Sequence, residues 1–162
     1  MTALIYRGCE LPEDLAYDVE QDVWARLEGD GSVTLGMTDP AQTRCGKIVS
    51  VRFKAPGRRV ARGQSLATIE SAKWVGPFPA VVSGVIAANN ERTFRDDTLS
   101  ANKDPYGAGW LVRLAPTAWA EERGRLLSGA AALERYRGRL DAQKVSCLRC
   151  AAEPGSEPDG DG

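Results

Sequence analysis

A chain of 162 residues, 43% of them hydrophobic and 27% charged, is long enough for one domain with its own core, since at this size roughly 70% of the unfolded chain's surface is buried. Its 21 basic and 22 acidic residues leave a formal charge of -1, which offers no net attraction for nucleic acid or an anionic membrane. The absence of histidine excludes a His general base, a Ser-His-Asp triad and any imidazole metal ligand.

No apolar run reaches the roughly 18 residues that mark a membrane span, and the start, Met1 to Leu15, lacks the basic and apolar regions of a secretory signal. The chain is therefore expected to be cytoplasmic. Four scattered cysteines, Cys9, Cys45, Cys147 and Cys150, do not make the framework of a small secreted fold and are expected as thiols.

Residues 1–18 form an amino-terminal lead. The middle, 19–115, reads as short strands within 23–38, 46–57, 59–73, 78–90 and 109–116, broken by turn residues, which is an all-β signature. Asp39, Pro40, Gln42 and Gly46 insert one short helix, with Asp39 as its cap and Gly46 closing it. Gly46–Val51 and Gly84–Asn89 echo each other, each followed by a polar turn and a second apolar step, Gly63–Leu66 and Asp96–Leu99. Two such halves would close into a small flattened barrel. Between them lies Glu70-Ser71-Ala72-Lys73-Trp74, where a strand must reverse, so Lys73 is expected near an exposed hairpin tip.

Residues 116–146 read as a helical segment packed on this domain. Trp119, Leu126, Leu133 and Leu140 recur every seven positions, with Leu127 and Ala130 widening the stripe. Gly124, Gly129 and Gly138 each cost about 1 kcal/mol in a helix interior, which predicts two pieces. Arg123, Arg125, Arg135, Arg137 and Arg139 form a basic face that reads as solvated surface, with a docking face for an acidic partner as the alternative. Residues 147–162 are expected as a flexible tail that carries the Cys147-Leu-Arg-Cys150 pair and ends in an acidic stretch without a large apolar residue.

A lysine on a tight turn is either a solvated charge or an amine presented to an acylating enzyme. A two-half β module, an acid at Glu70 and small residues Ser71 and Ala72 before Lys73 resemble the swinging-arm lipoyl and biotinyl carriers. Biotinyl carriers flank the lysine with methionines, whereas Ala72 and Trp74 stand here, so lipoyl is the better acyl group. Gly36-Met-Thr-Asp39, Ala41-Gln42, Gly46-Lys-Ile-Val49, Glu70-Ser-Ala-Lys73, Val82-Ser-Gly84 and Asn102-Lys-Asp-Pro-Tyr-Gly-Ala-Gly-Trp-Leu111 resemble the H-protein of the glycine cleavage system, over about residues 17–142.

The resemblance implies a mainly β barrel-sandwich hybrid with short helices and a carboxyl-terminal helical appendage. It implies lipoate in amide linkage to Lys73, with Glu70, Ser71, Ala72 and Trp74 presenting and docking the arm and Phe78 joining Trp74 in an apolar rim. No residue of such a carrier is catalytic, and the run from Asn102 to Leu111 is structural.

Three departures, Trp74-Val-Gly-Pro-Phe-Pro79 after the lysine, the lead Gly8–Tyr17, and the end with Tyr136-Arg137 and Val145-Ser-Cys147, resemble instead the lipoate-binding proteins of a sulfur-oxidation pathway. That pathway uses a heterodisulfide-reductase-like complex. Asp22 stands where both groups commonly have His. The resemblance implies transfer of a sulfur intermediate during oxidation to sulfite, with the reductase-like complex, a lipoate-attaching enzyme and a dihydrolipoamide dehydrogenase as partners. An aminomethyl carrier of glycine cleavage is the alternative, and an unmodified scaffold a third reading. Cys45 reads as a small buried hydrophobe. Cys147, Cys9 and Cys150 are candidate redox thiols, and no metal site is expected.

Overall fold

The computed structural model describes residues 2–151. Strands β1 (Ala3–Tyr6) and β2 (Cys9–Pro12) form a hairpin whose two turn residues, Arg7 and Gly8, both have positive φ, the conformation that matches the twist of the flanking strands. Next come β3 (Ala16–Asp18), β4 (Val23–Leu27), β5 (Val33–Met37), helix α1 (Asp39–Cys45), β6 (Ile48–Phe53), the short β7 (Arg59–Val60), β8 (Ser65–Ser71), β9 (Val75–Pro79) and β10 (Gly84–Asn89). Helices α2 (Glu91–Asp96) and α3 (Ser100–Lys103), β11 (Val112–Pro116), α4 (Trp119–Glu122), β12 (Leu127–Ser128) and α5 (Gly129–Gln143) complete the order.

Seven strands pair in the order β12-β3-β4-β5-β11-β10-β7, and three more in the order β6-β8-β9. Val23, Val33, Leu35, Ile86 and Leu114 of the larger sheet share a core with Ile48, Leu66, Ile69 and Phe78 of the smaller one. On β4 the residue between Val23 and Ala25, Trp24, points to the opposite face and into a second core. Trp24 packs with Leu11, Tyr17, Ala132, Tyr136 and Leu140, contributed by the hairpin, β3 and α5. The larger sheet is thus covered on both faces, which is why β5 is buried at every position.

The expected mainly β, sandwich-like architecture is present, without a closed barrel. The two glycine-led segments are strands, but they lie in different sheets, β6 in the smaller and β10 in the larger. The second echo does not extend further, because Asp96–Leu99 ends α2 and leads into α3. Thr38, not Asp39, caps α1: its hydroxyl accepts from the Ala41 N–H at 3.2 Å. The Asp39 carboxylate is committed elsewhere, to the Glu10 N–H at 2.9 Å and the Gln42 Nε2 at 2.9 Å.

The segment after β11 is in two helical pieces, as glycine content predicts, but its buried stripe is shifted. A turn at 123–125 and β12 separate the pieces, so the heptad phase restarts at Gly129. The residues that α5 buries are Gly129, Ala132, Tyr136 and Leu140; Leu140 belongs to the expected stripe and Leu133 packs half-buried on the same core, while Ala130 is exposed. Residues 147–150, expected in a flexible tail, are instead held in place. The Cys147 N–H donates to Arg7 O, the Cys150 N–H to Asn102 O, and Leu148 O accepts from Gln42 Nε2. The acidic stretch 152–162 lies outside the described residues.

Candidate functional site

Lys73 sits where expected, at the exposed tip between β8 and β9. The strands' last pair is Glu70 with Val75. Ser71 then locks the turn: its N–H donates to Trp74 O at 2.7 Å, and its hydroxyl reaches Trp74 O at 3.3 Å and accepts from the Lys73 N–H at 3.3 Å. Ser71 is buried, leaving Ala72, Lys73 and Trp74 outside the lock. The Glu70 carboxylate accepts from Ser50 Oγ at 3.2 Å on the neighbouring strand, so it belongs to the outer face of the small sheet and makes no hydrogen bond to Lys73 among the described residues.

The stem of Lys73 lies on Gly46. A Cβ there would stand 2.9 Å from Lys73 Cε, and Gly46 has φ of 82°, so a side chain is disfavoured twice. Asn102, fully buried, fixes this corner by donating to Gly46 O at 2.8 Å while its Oδ1 accepts from the Ile48 N–H at 3.0 Å. The resemblance marked Asn102 as part of a structural run, but its spacing in sequence gives no hint that it supports the lysine.

Beside Lys73 opens a cleft of about 720 Å³. Met37, Ala41, Cys45, Ile69, Trp74 and Phe78 supply its apolar walls, and it reaches Gly63 and Pro79 at the opposite end of the β8–β9 hairpin. Phe78 is a wall and not part of an exposed rim: it is 2% exposed and belongs to the core. The rim is Trp74, 42% exposed, with Val75. The indole lies across Gly76, where a Cβ would meet its ring at 2.1 Å.

At the cleft's mouth Asp22, with φ of 60°, pairs with the Arg44 guanidinium and accepts from Tyr136 Oη at 2.7 Å. Arg44 also donates to Gln143 Oε1 at 2.8 Å, which ties the end of α5 to α1. Burial first, and the adjacent Asp22 second, push the Tyr136 hydroxyl well above its usual pKa, so it remains a donor. Cys45 is a buried free thiol; burial pushes its pKa up, against the opposing influence of Ser71 and Lys73.

The cysteine pair 147 and 150 does not close on itself. Cys147 is joined to Cys9 in a disulfide, and Cys150 is free, which corrects the expectation that Cys9 and Cys147 are thiols. Gly8 makes this approach possible: a Cβ at that position would lie 3.1 Å from Cys147 O. The described residues contain no group of three or more His, Cys, Asp or Glu side chains that could hold a metal ion, and no described helix is long and apolar enough to cross a membrane.

A two-sheet sandwich with a lysine on a hydrogen-bonded turn beside an apolar cleft is an arrangement suited to carrying a covalently tethered group. The family described as glycine cleavage H-protein matches residues 15–137. A glycine cleavage system H protein 2 of Aquifex aeolicus is 41% identical over 142 residues, covering 88% of each chain. A relative from Saccharolobus solfataricus, named as a probable glycine cleavage system H protein 2, is 40% identical and covers 90% of this chain and 99% of its own. The crystal structure of a glycine cleavage system H protein from Mycobacterium marinum superimposes with a TM-score of 0.69 at 32% identity, covering 78% of this chain and 99% of that one. The chain belongs to the glycine cleavage H-protein family. It is a lipoyl carrier and not an enzyme, and its cofactor is lipoate bound covalently to a lysine.

Proposed function

We propose that Lys73 is the lipoylated residue and that the arm carries a sulfur intermediate to and from a heterodisulfide-reductase-like complex in the cytoplasm. The observation that carries this reading is the cleft beside Lys73. Its walls are largely apolar and include the sulfur-containing residues Met37 and Cys45, surroundings suited to a soft, polarizable cargo. The carboxylate at its mouth, Asp22, is already taken by Arg44 and Tyr136, leaving no free acid there for a cationic amine.

When bound, lipoate supplies a dithiolane that opens to two sulfurs able to hold a transferable group. The chain's own residues do the rest. Ser71 holds the turn so that the amine of Lys73 stands clear for a lipoate-attaching enzyme, Ala72 leaves it unhindered, and Trp74 caps the entrance of the cleft. Glu70, on the outer face, and the exposed indole are contact points for a docking enzyme. Tethering keeps the cargo at high effective concentration near each active site. A dihydrolipoamide dehydrogenase would return the arm to its disulfide.

Aminomethyl carriage in glycine cleavage is the second reading, favoured by the names of the relatives, which are glycine cleavage system H proteins. Intact mass and peptide mapping of the protein isolated without reductant from its host, grown on a reduced sulfur compound, separate the two. A lipoyl increment on Lys73 bearing sulfur adducts that vanish on reduction is the expected result. Glycine–bicarbonate exchange with a competent decarboxylase, without such adducts, would replace sulfur transfer by aminomethyl transfer. An unmodified Lys73 in active cells would remove both.

A further inference from the structure

The cationic residues are unevenly distributed. Between Lys47 and Ile69 there are six basic residues and no acid, in a chain whose overall charge is -1. Arg58, Arg59 and Arg62 are exposed and have no ion pair among the described residues. On the carboxyl-terminal helix Arg135 is paired with Glu20 at 2.9 Å and Arg137 lies over the Tyr6 ring, while Arg52, Arg92, Arg123 and Arg125 are exposed without an ion pair among the described residues but are not grouped as Arg58, Arg59 and Arg62 are.

The backbone that displays Arg58, Arg59 and Arg62 is fixed. Gly57 N–H donates to Ile86 O at 2.7 Å and Ile86 N–H to Arg58 O at 2.8 Å. The next turn is pinned by Arg62 N–H to Ser83 Oγ at 2.9 Å and Gly63 N–H to Ala80 O at 2.7 Å. Strand β7 is also the outer edge of the seven-stranded sheet. Charged residues on an edge discourage pairing with another strand, so a partner here would meet side chains and not extend the sheet.

Its position gives the patch a use. The cleft beside Lys73 also has Gly63 in its lining, the residue after Arg62, about 20 Å away along the seven-residue β8 at the usual rise per residue. A group laid along the cleft from Lys73 points toward this basic margin. We infer that Arg58, Arg59 and Arg62 are the docking surface for an acidic patch on the enzyme that exchanges cargo with the arm. The inference rests on the carrier role of Lys73 proposed above. A compact acidic protein surface matches three clustered charges. A long polyanion or a flat anionic bilayer would also meet the acidic excess on the rest of the chain, which repels it.

The test uses the lipoylated full chain, wild type and with Arg58→Glu, Arg59→Glu and Arg62→Glu combined. Its association rate is measured with the purified heterodisulfide-reductase-like complex and, separately, with the glycine decarboxylase of the same host, from 25 to 300 mM NaCl. The expected result, with whichever enzyme turns over the wild-type arm, is a tenfold or greater loss of on-rate at low salt and a flattened salt dependence. A variant with Arg123→Glu, Arg125→Glu and Arg137→Glu, carrying the same charge change elsewhere, should keep at least a third of the wild-type rate. Equal losses in the two variants would reduce the effect to net charge and overturn the inference, as would turnover with unchanged on-rate and salt slope. Binding of wild type, but not the first variant, to vesicles of 30% phosphatidylglycerol in phosphatidylcholine or to duplex RNA, with the enzyme rates unchanged, would assign the patch to that other partner. Turnover with neither enzyme would fail the carrier reading itself, and this inference with it.

Discussion

At the level of single residues, the platform under Lys73 depends on a side chain that never touches it. Asn102 is buried and makes one hydrogen bond to each side of the Gly46 corner, to Gly46 O and from the Ile48 N–H. Leucine has nearly the same volume but neither group, so Asn102→Leu leaves a buried donor and a buried acceptor without partners, at a cost of about 1–3 kcal/mol. Urea denaturation should register that loss. The lipoate-attaching enzyme should also modify the folded variant more slowly, because the glycine that supports the lysine stem loses its bond from Asn102 and keeps only the one its N–H makes to Gln42 O. Normal acylation kinetics with reduced stability would confine Asn102 to a structural role. The sequence made Lys73 itself legible, through the small residues before it and the strand reversal around it. It did not reveal Gly46 or Asn102 as its supports, because they are 27 and 29 positions from Lys73 in opposite directions along the chain and meet it only through tertiary packing.

Elements were legible where turn chemistry is local and obscured where a neighbour competes. Asp39 has the composition of a helix cap, yet its carboxylate is engaged by Glu10, Gln42 and Arg149, and Thr38 takes the cap. The β4–β5 hairpin shows how such local bonds set pH dependence. Glu28 accepts from the Thr34 hydroxyl and from Arg26 at 3.0 Å. The Thr34 bond chiefly, aided by Arg26 and opposed by burial, holds its pKa below the usual carboxylate value. A carboxyl depressed in the folded state contributes stability that is complete above its unfolded pKa, about 4.3, and is lost as pH falls through the folded value. Thr34→Val should therefore shrink the fall in stability between about pH 5 and pH 3, measured by denaturation at each pH. An acid limb as steep in Thr34→Val as in wild type would count against this hairpin as a source of it.

For the whole molecule, the middle of the chain was readable as a β carrier because its strands are bounded by local turns, while the roles of the two ends were not. The lead and the carboxyl-terminal segment are separated by more than a hundred residues, and nothing periodic in either announces that together they cover Trp24 and the outer face of β4 and β5. The Cys9–Cys147 disulfide joins those ends across a sequence separation of 138. Closing so long a loop restricts the unfolded chain severely; the usual range for removing a native disulfide is about 2–5 kcal/mol. Both cysteines are buried, at 1% and 9% exposure, which shields the bond from thiol reductants until this layer opens. Added reductant should thus lower the urea midpoint of the wild type only after unfolding or long incubation. Cys9→Ser with Cys147→Ser should show the lower midpoint at once and no response to reductant, whereas Cys150→Ser should behave as wild type. Equal midpoints for the double variant and the wild type would mean that the second core holds the two ends without the bond. The contacts that the bond secures reach the site, since Leu148 O is held by Gln42 and Arg149 by Asp39, both on α1, the helix that supplies Cys45 and Arg44 to the cleft.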